Sequence, residues 1–135
     1  TGYFNHKYIP RAGSTAAQGE LNYEMNYRAI RYADVLLMAA EAHFQTGNGG
    51  PAQGYFNEIR VRAGVQPFPI SSIEDIYNER RLELACEGHR FFDLVRTGQA
   101  EQHIDGFVVG KHELFPIPQL EIDLAGGNWS QNPGY

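Results

Sequence analysis

The sequence predicts a mainly α protein with a helical hairpin, further helices, and irregular loops and short strands at both ends. Apolar residues recur every three or four positions in two neighbouring stretches, 31–46 and 51–63, which is the spacing of one helix face. A run of glycine and asparagine at 47–50 separates the two stretches, as expected of a turn between helices. A third stretch of helical spacing follows a helix-start pattern at 71–74.

The chain divides into three parts by pattern. Residues 1–27 are a loop-rich lead-in, rich in Gly, Tyr, Asn and Ser, without the sustained apolar periodicity of a helix or a strand. One short strand is predicted within it, at 3–9. The helical core is predicted over 28–98. Short strands and a terminal coil are predicted over 99–135, the strands lying at 107–109 and 114–117.

The first helix is expected to be buried on more than one face. Met38 and Ala39 widen the apolar surface around the helix beyond its periodic stripe. One following helix cannot cover so wide a surface. We therefore expect an exposed hydrophobic face, or a face covered by another chain or by helices outside this sequence. The periodic positions are Ala33, Leu36, Leu37, Ala40 and Phe44.

The second helix completes an antiparallel hairpin of about 34 residues. Pro51 suits the first turn of a helix, and Gly64 marks its end. Glu58 and Arg62 are expected to form an outward pair four residues apart. The apolar stripe consists of Ala52, Tyr55, Phe56, Ile59 and Ala63.

The third helix is predicted to begin at a capping box formed by Ser71 and Glu74. It runs through Leu84 until Gly88 interrupts it. A short helix at 90–97 follows, with a cation in its last turn, where the helix dipole favours one.

Composition excludes several classes of protein. With a net charge of -5 and no basic block, the chain lacks the cationic patch that a nucleic acid partner requires. Its longest apolar run, 35–40, is far shorter than the roughly 20 residues that cross a bilayer. The single cysteine, Cys86, cannot form an intrachain disulfide and is expected to be a small core residue.

Opposite charges are concentrated in "NERRLELACEGHRFFDLVRTG", residues 78–98. Glutamates four apart on one helix repel each other unless guanidinium groups lie between them. We therefore predict a structural ion network with arginines of this segment or of the neighbouring helix, in which Glu87 pairs with Arg80 or Arg90. The network consists of Arg80, Glu83, Glu87, Arg90, Asp93 and Arg96.

A metal site, a catalytic carboxylate pair and a sugar-stacking residue have weaker support in the sequence. A metal site from Glu83, Glu87, His89 and Asp93 lacks the HExxH and Glu-x-x-His spacings. A glycosidase pair needs two carboxylates across a cleft, whereas carboxylates four apart on one helix point the same way. Trp129, the only tryptophan, is a candidate for stacking on a sugar, although packing of the terminal coil explains it as well.

Four blocks stand out in this order: "TGYFNHKYI", "IRYADVLLMAAEAHFQTGN", "NERRLELACEGHRFFDLVRTG" and "ELFPIPQLEIDLAGGNWSQNPGY". Together they resemble the C-terminal part of the SusD/RagB family of Bacteroidetes outer-membrane nutrient-uptake lipoproteins. The blocks span nearly the whole chain. A small departure is Thr97-Gly98, where Trp-Gly is often seen.

The resemblance implies that 1–135 is the C-terminal segment of a lipid-anchored protein at the outer-membrane surface. Such a protein binds glycans or other nutrients without chemistry or cofactor and delivers them to a TonB-dependent SusC-like transporter. The anchor, the only membrane attachment expected, would lie outside this segment. The implied fold contains tetratricopeptide-like hairpins, and the spacing of Ala40, Gly47, Ala52 and Phe56 suits one. The sugar-contacting loops of relatives are expected to lie largely upstream of this segment, so the resemblance assigns no ligand residue within it.

Two alternatives belong to other classes of protein. One is a glycan-degrading or metal-dependent enzyme that uses the Glu-rich helix. The other is a tetratricopeptide-type scaffold for peptide partners, which would require further repeats.

Overall fold

The computed structural model describes residues 2, 4–9, 13 and 26–135, and within these ranges the protein has six helices and no strand. The mainly α class predicted from the sequence is confirmed. The chain forms two compact units, Thr1–Arg90 and Phe91–Tyr135. The helices are α1 (Tyr32–Gln45), α2 (Gly49–Arg62), α3 (Ile73–Glu83), α4 (Arg90–Arg96), α5 (Ala100–His103) and α6 (Gln119–Leu124).

The hairpin of α1 and α2 forms the core of the first unit, and α3 packs against α1. Gly47 ends α1 with a φ of 77°, a left-handed conformation that glycine adopts without steric cost. Phe56 on α2 and Ile76 on α3 are almost fully buried and meet Ala40 of α1. The apolar stripes read from the sequence are thus the surfaces that join the three helices. A second cluster contains Ala33, Leu36, Leu37 and Ile59.

The exposed apolar face expected of the first helix is present. Tyr32, Val35 and Met38 have exposed fractions of 68%, 44% and 46%. None of the helices in the described ranges combines the length and apolar composition needed to cross a bilayer.

The start of α3 differs from the prediction by one residue. The capping box is formed by Ser72 and Asp75 rather than by Ser71 and Glu74. The Asp75 carboxylate accepts hydrogen bonds from the Ser71 hydroxyl at 2.8 Å and from the backbone N–H groups of Ser71 and Ser72 at 2.8 and 3.0 Å. These bonds, led by the Ser71 hydroxyl, lower the pKa of Asp75.

Replacing Asp75 with alanine should lower the free energy of unfolding by about 1 kcal/mol at neutral pH, because the helix start loses its acceptor. Since the folded pKa is lowered, this stabilisation is present above the ordinary carboxyl pKa of about 4 and is lost as the pH falls through the folded value. Urea melts at pH 7 and at about pH 3 test this. Asp75→Asn, which keeps a carbonyl acceptor, should retain part of the stability. Equal midpoints for Asp75→Ala and wild type at pH 7 would contradict the assignment.

The second unit is organised around Phe91. Its ring centroid lies 5.6 Å from that of Phe92, 6.5 Å from Phe107 and 5.9 Å from Phe115. Leu94 of α4 and Ala100 of α5 are the two buried apolar residues of this unit. Aromatic contacts therefore supply much of its packing.

The predicted strands at 107–109 and 114–117 are corrected to turns and irregular backbone. Lys111 and His112 donate backbone hydrogen bonds to the carbonyl of Val108, which closes turns instead of a ladder. Short apolar runs become strands only where a partner strand can pair with them. Of the predicted strand at 3–9, residue 3 lies outside the described residues, and 4–9 form no strand.

Cys86 is exposed rather than buried, which corrects its expected role in the core. Helix α3 ends at Glu83, so Cys86 lies in the following loop rather than within a helix. It has a φ of 64°, a left-handed conformation rare for a residue with a side chain. In this loop Glu87 is buried while Cys86 faces solvent.

Candidate functional site

A buried carboxylate, Glu87, is the centre of the strongest polar cluster in the first unit. Its side chain is 1% exposed. Glu87 Oε1 accepts hydrogen bonds from Lys7 Nζ at 2.5 Å and Arg31 Nη2 at 2.8 Å, and Oε2 accepts one from Arg31 Nε at 2.6 Å. Both oxygens of the buried carboxylate are therefore paired with cations, which offsets the cost of removing its charge from water.

Glu83 extends this cluster toward α2. Its Oε1 accepts a hydrogen bond from Arg31 Nη2 at 2.9 Å, and its Oε2 accepts one from Arg62 Nη2 at 2.5 Å. The backbone carbonyl of Glu83 also accepts from Lys7 Nζ and Arg31 Nη2. Arg31 thus bridges both carboxylates. We call this set the Glu87 cluster, and it consists of Lys7, Arg31, Arg62, Glu83 and Glu87.

The cluster forms where the ends of several elements meet. Arg31 is the N-cap residue of α1 and has an extended backbone, while Arg62 is the last residue of α2. Glu83 is the last residue of α3, where the helix dipole disfavours a carboxylate. The two arginines supply the positive charge that this position requires. The Tyr27 hydroxyl donates to the carbonyl of Glu87 at 3.2 Å.

The ionisation of the cluster does not favour proton transfer. Burial opposes ionisation of Glu87, yet the hydrogen bonds from Arg31 and Lys7 outweigh it and the pKa of Glu87 is lowered. The hydrogen bond to Glu87 is the leading reason that the pKa of Arg31 is raised. Both groups keep their charge at neutral pH, whereas a general acid or base needs a pKa near the working pH.

Two further ion pairs join helices of the first unit. Arg80 Nη1 lies 2.8 Å from Asp34 Oδ1, and the two side chains are 5% and 8% exposed. Arg60 Nη1 lies 2.7 Å from Glu79 Oε2. The Arg60 guanidinium also lies over the ring of Phe68, 5.4 Å from its centroid. These pairs connect α3 with α1 and with α2.

The structure changes the partners expected for Glu87. The prediction paired it with Arg80 or Arg90, whereas its partners are Arg31 and Lys7. Arg80 lies in α3, which packs on α1, and there it meets Asp34. Because α3 ends at Glu83, the helical register that suggested those partners does not extend to Glu87.

The predicted network also includes Arg90, Asp93 and Arg96. Arg90 is half-buried at the start of α4. Asp93 and Arg96 pair with each other on α4, at 2.9 Å between Arg96 Nε and Asp93 Oδ1. The expected pair of Glu58 and Arg62 is also corrected, since Arg62 bonds to Glu83.

Sequence reasoning missed Lys7 and Arg31 as members of the site. They lie 80 and 56 positions before Glu87 in the sequence. The one local signal was an arginine directly before the apolar stripe of the first helix. That signal shows a cation at the helix start and does not reveal its partner.

Trp129 lies in the second unit, just after the turn that follows α6, and is 55% exposed.

The alternative of a metal site was based on Glu83, Glu87, His89 and Asp93. Among the residues that the structure describes, no group of three or more His, Cys, Asp or Glu side chains could hold a metal ion.

Two cavities flank the Glu87 cluster and share Arg28, Arg31 and Arg62. The polar cavity has a volume of about 420 Å³ and the apolar cavity about 410 Å³. The polar cavity is lined by Lys7, Tyr8, Arg28, Arg31, Arg62, Leu82, Glu83 and Glu87. The apolar cavity is lined by Arg28, Ile30, Arg31, Tyr32, Ala33, Leu36, Glu58, Ile59 and Arg62.

The chain matches known proteins in sequence. A model of the SusD family matches residues 1–113. SusD-like protein P2 of Formosa agariphila is 31% identical over 96% of this chain and 30% of its own length. SusD-like protein P38 of the same organism is 41% identical over 57% of this chain and 18% of its own length.

Solved structures agree with the sequence matches. A laminarin binding SusD-like protein has a TM-score of 0.81 and 47% identity, over 94% of this chain and 28% of its own. Surface glycan-binding protein A from Bacteroides uniformis has a TM-score of 0.69 and 35% identity, over 82% of this chain and 28% of its own. The chain spans less than a third of the length of these relatives.

Proposed function

This chain belongs to the SusD family, and from that premise we propose that it is the C-terminal segment of a non-catalytic glycan-binding protein of the bacterial cell surface. The observation that carries the proposal is the match to a laminarin binding SusD-like protein at 47% identity over nearly the whole chain. The similarity to a surface glycan-binding protein supports the same class of ligand.

The proposed role of the helical part is structural. The Glu87 cluster and the Asp34–Arg80 pair join elements that are distant in sequence, and their charged groups are already engaged with each other. A non-catalytic role is supported by the lowered pKa of Glu87, which removes it as a candidate proton donor at neutral pH. The enzyme alternative would require a carboxylate with a raised pKa.

The partner and location proposed for the full-length protein follow from the family. We propose delivery of ligand to a SusC-like TonB-dependent transporter at the outer membrane, with attachment through a lipid anchor outside this segment. Co-purification from outer-membrane extracts tests the partnership. Recovery of the protein without any such transporter, or from the periplasm alone, would contradict it.

We expect the full-length protein to bind at least one soluble glycan and to hydrolyse none. Isothermal titration calorimetry with laminarin first and then a panel of other glycans tests binding, and an assay for new reducing ends tests hydrolysis. Binding of neutral glycans by residues 1–135 alone should be weak or absent, because one exposed tryptophan supplies little of a concave aromatic site.

Trp129→Ala tests the candidate sugar-stacking residue predicted from the sequence. We expect it to leave the affinity of the full-length protein within about twofold, a difference of less than 0.5 kcal/mol. Tight binding by 1–135 that is abolished in Trp129→Ala would put the site at Trp129 instead. Release of reducing ends by the purified protein would favour the enzyme alternative.

A further inference from the structure

The polar cavity beside the Glu87 cluster has more positive than negative charge. Four cationic side chains and two carboxylates line it, an excess of two positive charges. Glu58 borders the adjoining apolar cavity and reduces the excess over both cavities to one. The chain as a whole carries a net charge of -5, so this positive cavity contrasts with the rest of the protein.

The carboxylates of the cavity are already engaged, while some of its cations are accessible. Arg31 pairs with the carboxylates of both Glu83 and Glu87. Lys7 pairs with Glu87, and Arg62 pairs with Glu83. The side chains of Lys7 and Arg62 are still 36% and 57% exposed. Arg28 is exposed, and among the described residues no hydrogen bond or ion pair involves its guanidinium. The cavity therefore presents donors to a further anionic group.

The surroundings of the cavity suit a sugar ring. Tyr8 lines it and stacks on Tyr27, with ring centroids 5.7 Å apart. Aromatic faces offer an apolar surface to the ring, and guanidinium groups bind carboxylate or sulfate oxygens in pairs. A volume of about 420 Å³ lies within the range of small-molecule sites.

We infer that this cavity binds the carboxylate or sulfate group of an acidic glycan, with Arg28 and Arg62 as the groups that contact the anion. The inference rests on the proposed glycan-binding function and adds a ligand class and a site to it. Tyr8 would pack against the sugar, and the carboxylates of Glu83 and Glu87 would hold Arg31 and Arg62 in place.

Titration of the full-length protein with polygalacturonate, dextran sulfate and neutral dextran tests this inference. Arg28→Gln should weaken binding of an acidic glycan by about tenfold, the loss of one charge-assisted contact. Glu58→Gln should tighten it by about two- to threefold, because a nearby negative charge is removed. Arg81→Gln is the matched control, since Arg81 is exposed on α3 and does not line the cavity.

Which of these glycans the protein binds shows which chemical group the cavity recognises. Binding of polygalacturonate alone identifies carboxylate as the recognised group, and binding of dextran sulfate alone identifies sulfate. In either case the affinity should fall with added NaCl. Equal loss in Arg28→Gln and Arg81→Gln, or acidic-glycan binding that neither variant weakens, would overturn the inference. Binding of laminarin without any acidic glycan would overturn it and leave the proposed function intact, whereas no glycan binding at all would overturn both.

Discussion

Replacing Arg31 with methionine should lower the free energy of unfolding by about 3–5 kcal/mol. Arg31 donates hydrogen bonds to Glu87 and Glu83, and the Glu87 side chain is only 1% exposed. Without Arg31, the buried carboxylate keeps only Lys7 as a cationic partner among the described residues. Lys7 is 36% exposed, so solvent screens its charge and it compensates poorly for the loss.

Chemical denaturation at pH 7 measures this effect. Arg81→Met is the matched control, because it removes an exposed arginine of α3 and should change stability by less than about 0.5 kcal/mol. Glu87→Gln should cost less than Arg31→Met, since the cations that it leaves are 23% and 36% exposed and can reach water. A loss below about 1 kcal/mol in Arg31→Met would mean that the cluster behaves as a surface pair.

The effect of Arg31→Met should depend on pH. The pKa of Glu87 is lowered in the folded protein, so its ionised form stabilises the fold above the ordinary glutamate pKa of about 4.3. This stabilisation is lost as the pH falls through the lower folded value. The difference between wild type and Arg31→Met should therefore be largest near neutral pH and should narrow in acid.

Replacing Asp34 with alanine should also lower the free energy of unfolding by about 3–5 kcal/mol. Asp34 pairs with Arg80, and both side chains are more than nine-tenths buried. The variant leaves a buried guanidinium without this carboxylate. Removal of one partner from a buried pair costs more than the pair itself contributes.

The double variant Asp34→Leu with Arg80→Met separates pairing from packing. Because apolar side chains of similar size need no partner, the double variant should lose less stability than the two single losses added together. Thermal and urea melts of both single variants and the double variant provide the comparison. If the two single losses simply add in the double variant, the ion pair is not the reason for either loss.

Sequence patterns predicted the helices of the first unit well, because their signals are local. Periodic apolar residues placed α1 and α2 within one or two residues of their observed ends. The capping box was shifted by one residue because Ser71 and Ser72 offer two overlapping patterns. The short helices α5 and α6 were missed, since a helix of 4 or 6 residues barely completes a period.

The candidate site was only partly predictable. The sequence shows that Glu83 and Glu87 need cations, since carboxylates so close together repel each other. Which cations approach them depends on where α3 ends and on how the hairpin presents Arg31 and Arg62. Successive side chains of a helix point about 100° apart. Where the helix ends therefore changes the direction of the side chains that follow, and their partners cannot be identified from spacing alone.

The sequence by itself determined the mainly α class, the hairpin and the apolar faces of α1 and α2, because these follow from spacings of three and four residues along the chain. Only the tertiary structure decided the ion pairs. Lys7 and Glu87 are 80 positions apart, and Asp34 and Arg80 are 46 apart. Charges attract without regard to sequence separation, so the pairs that form are those whose helix ends the packing of the apolar faces brings together.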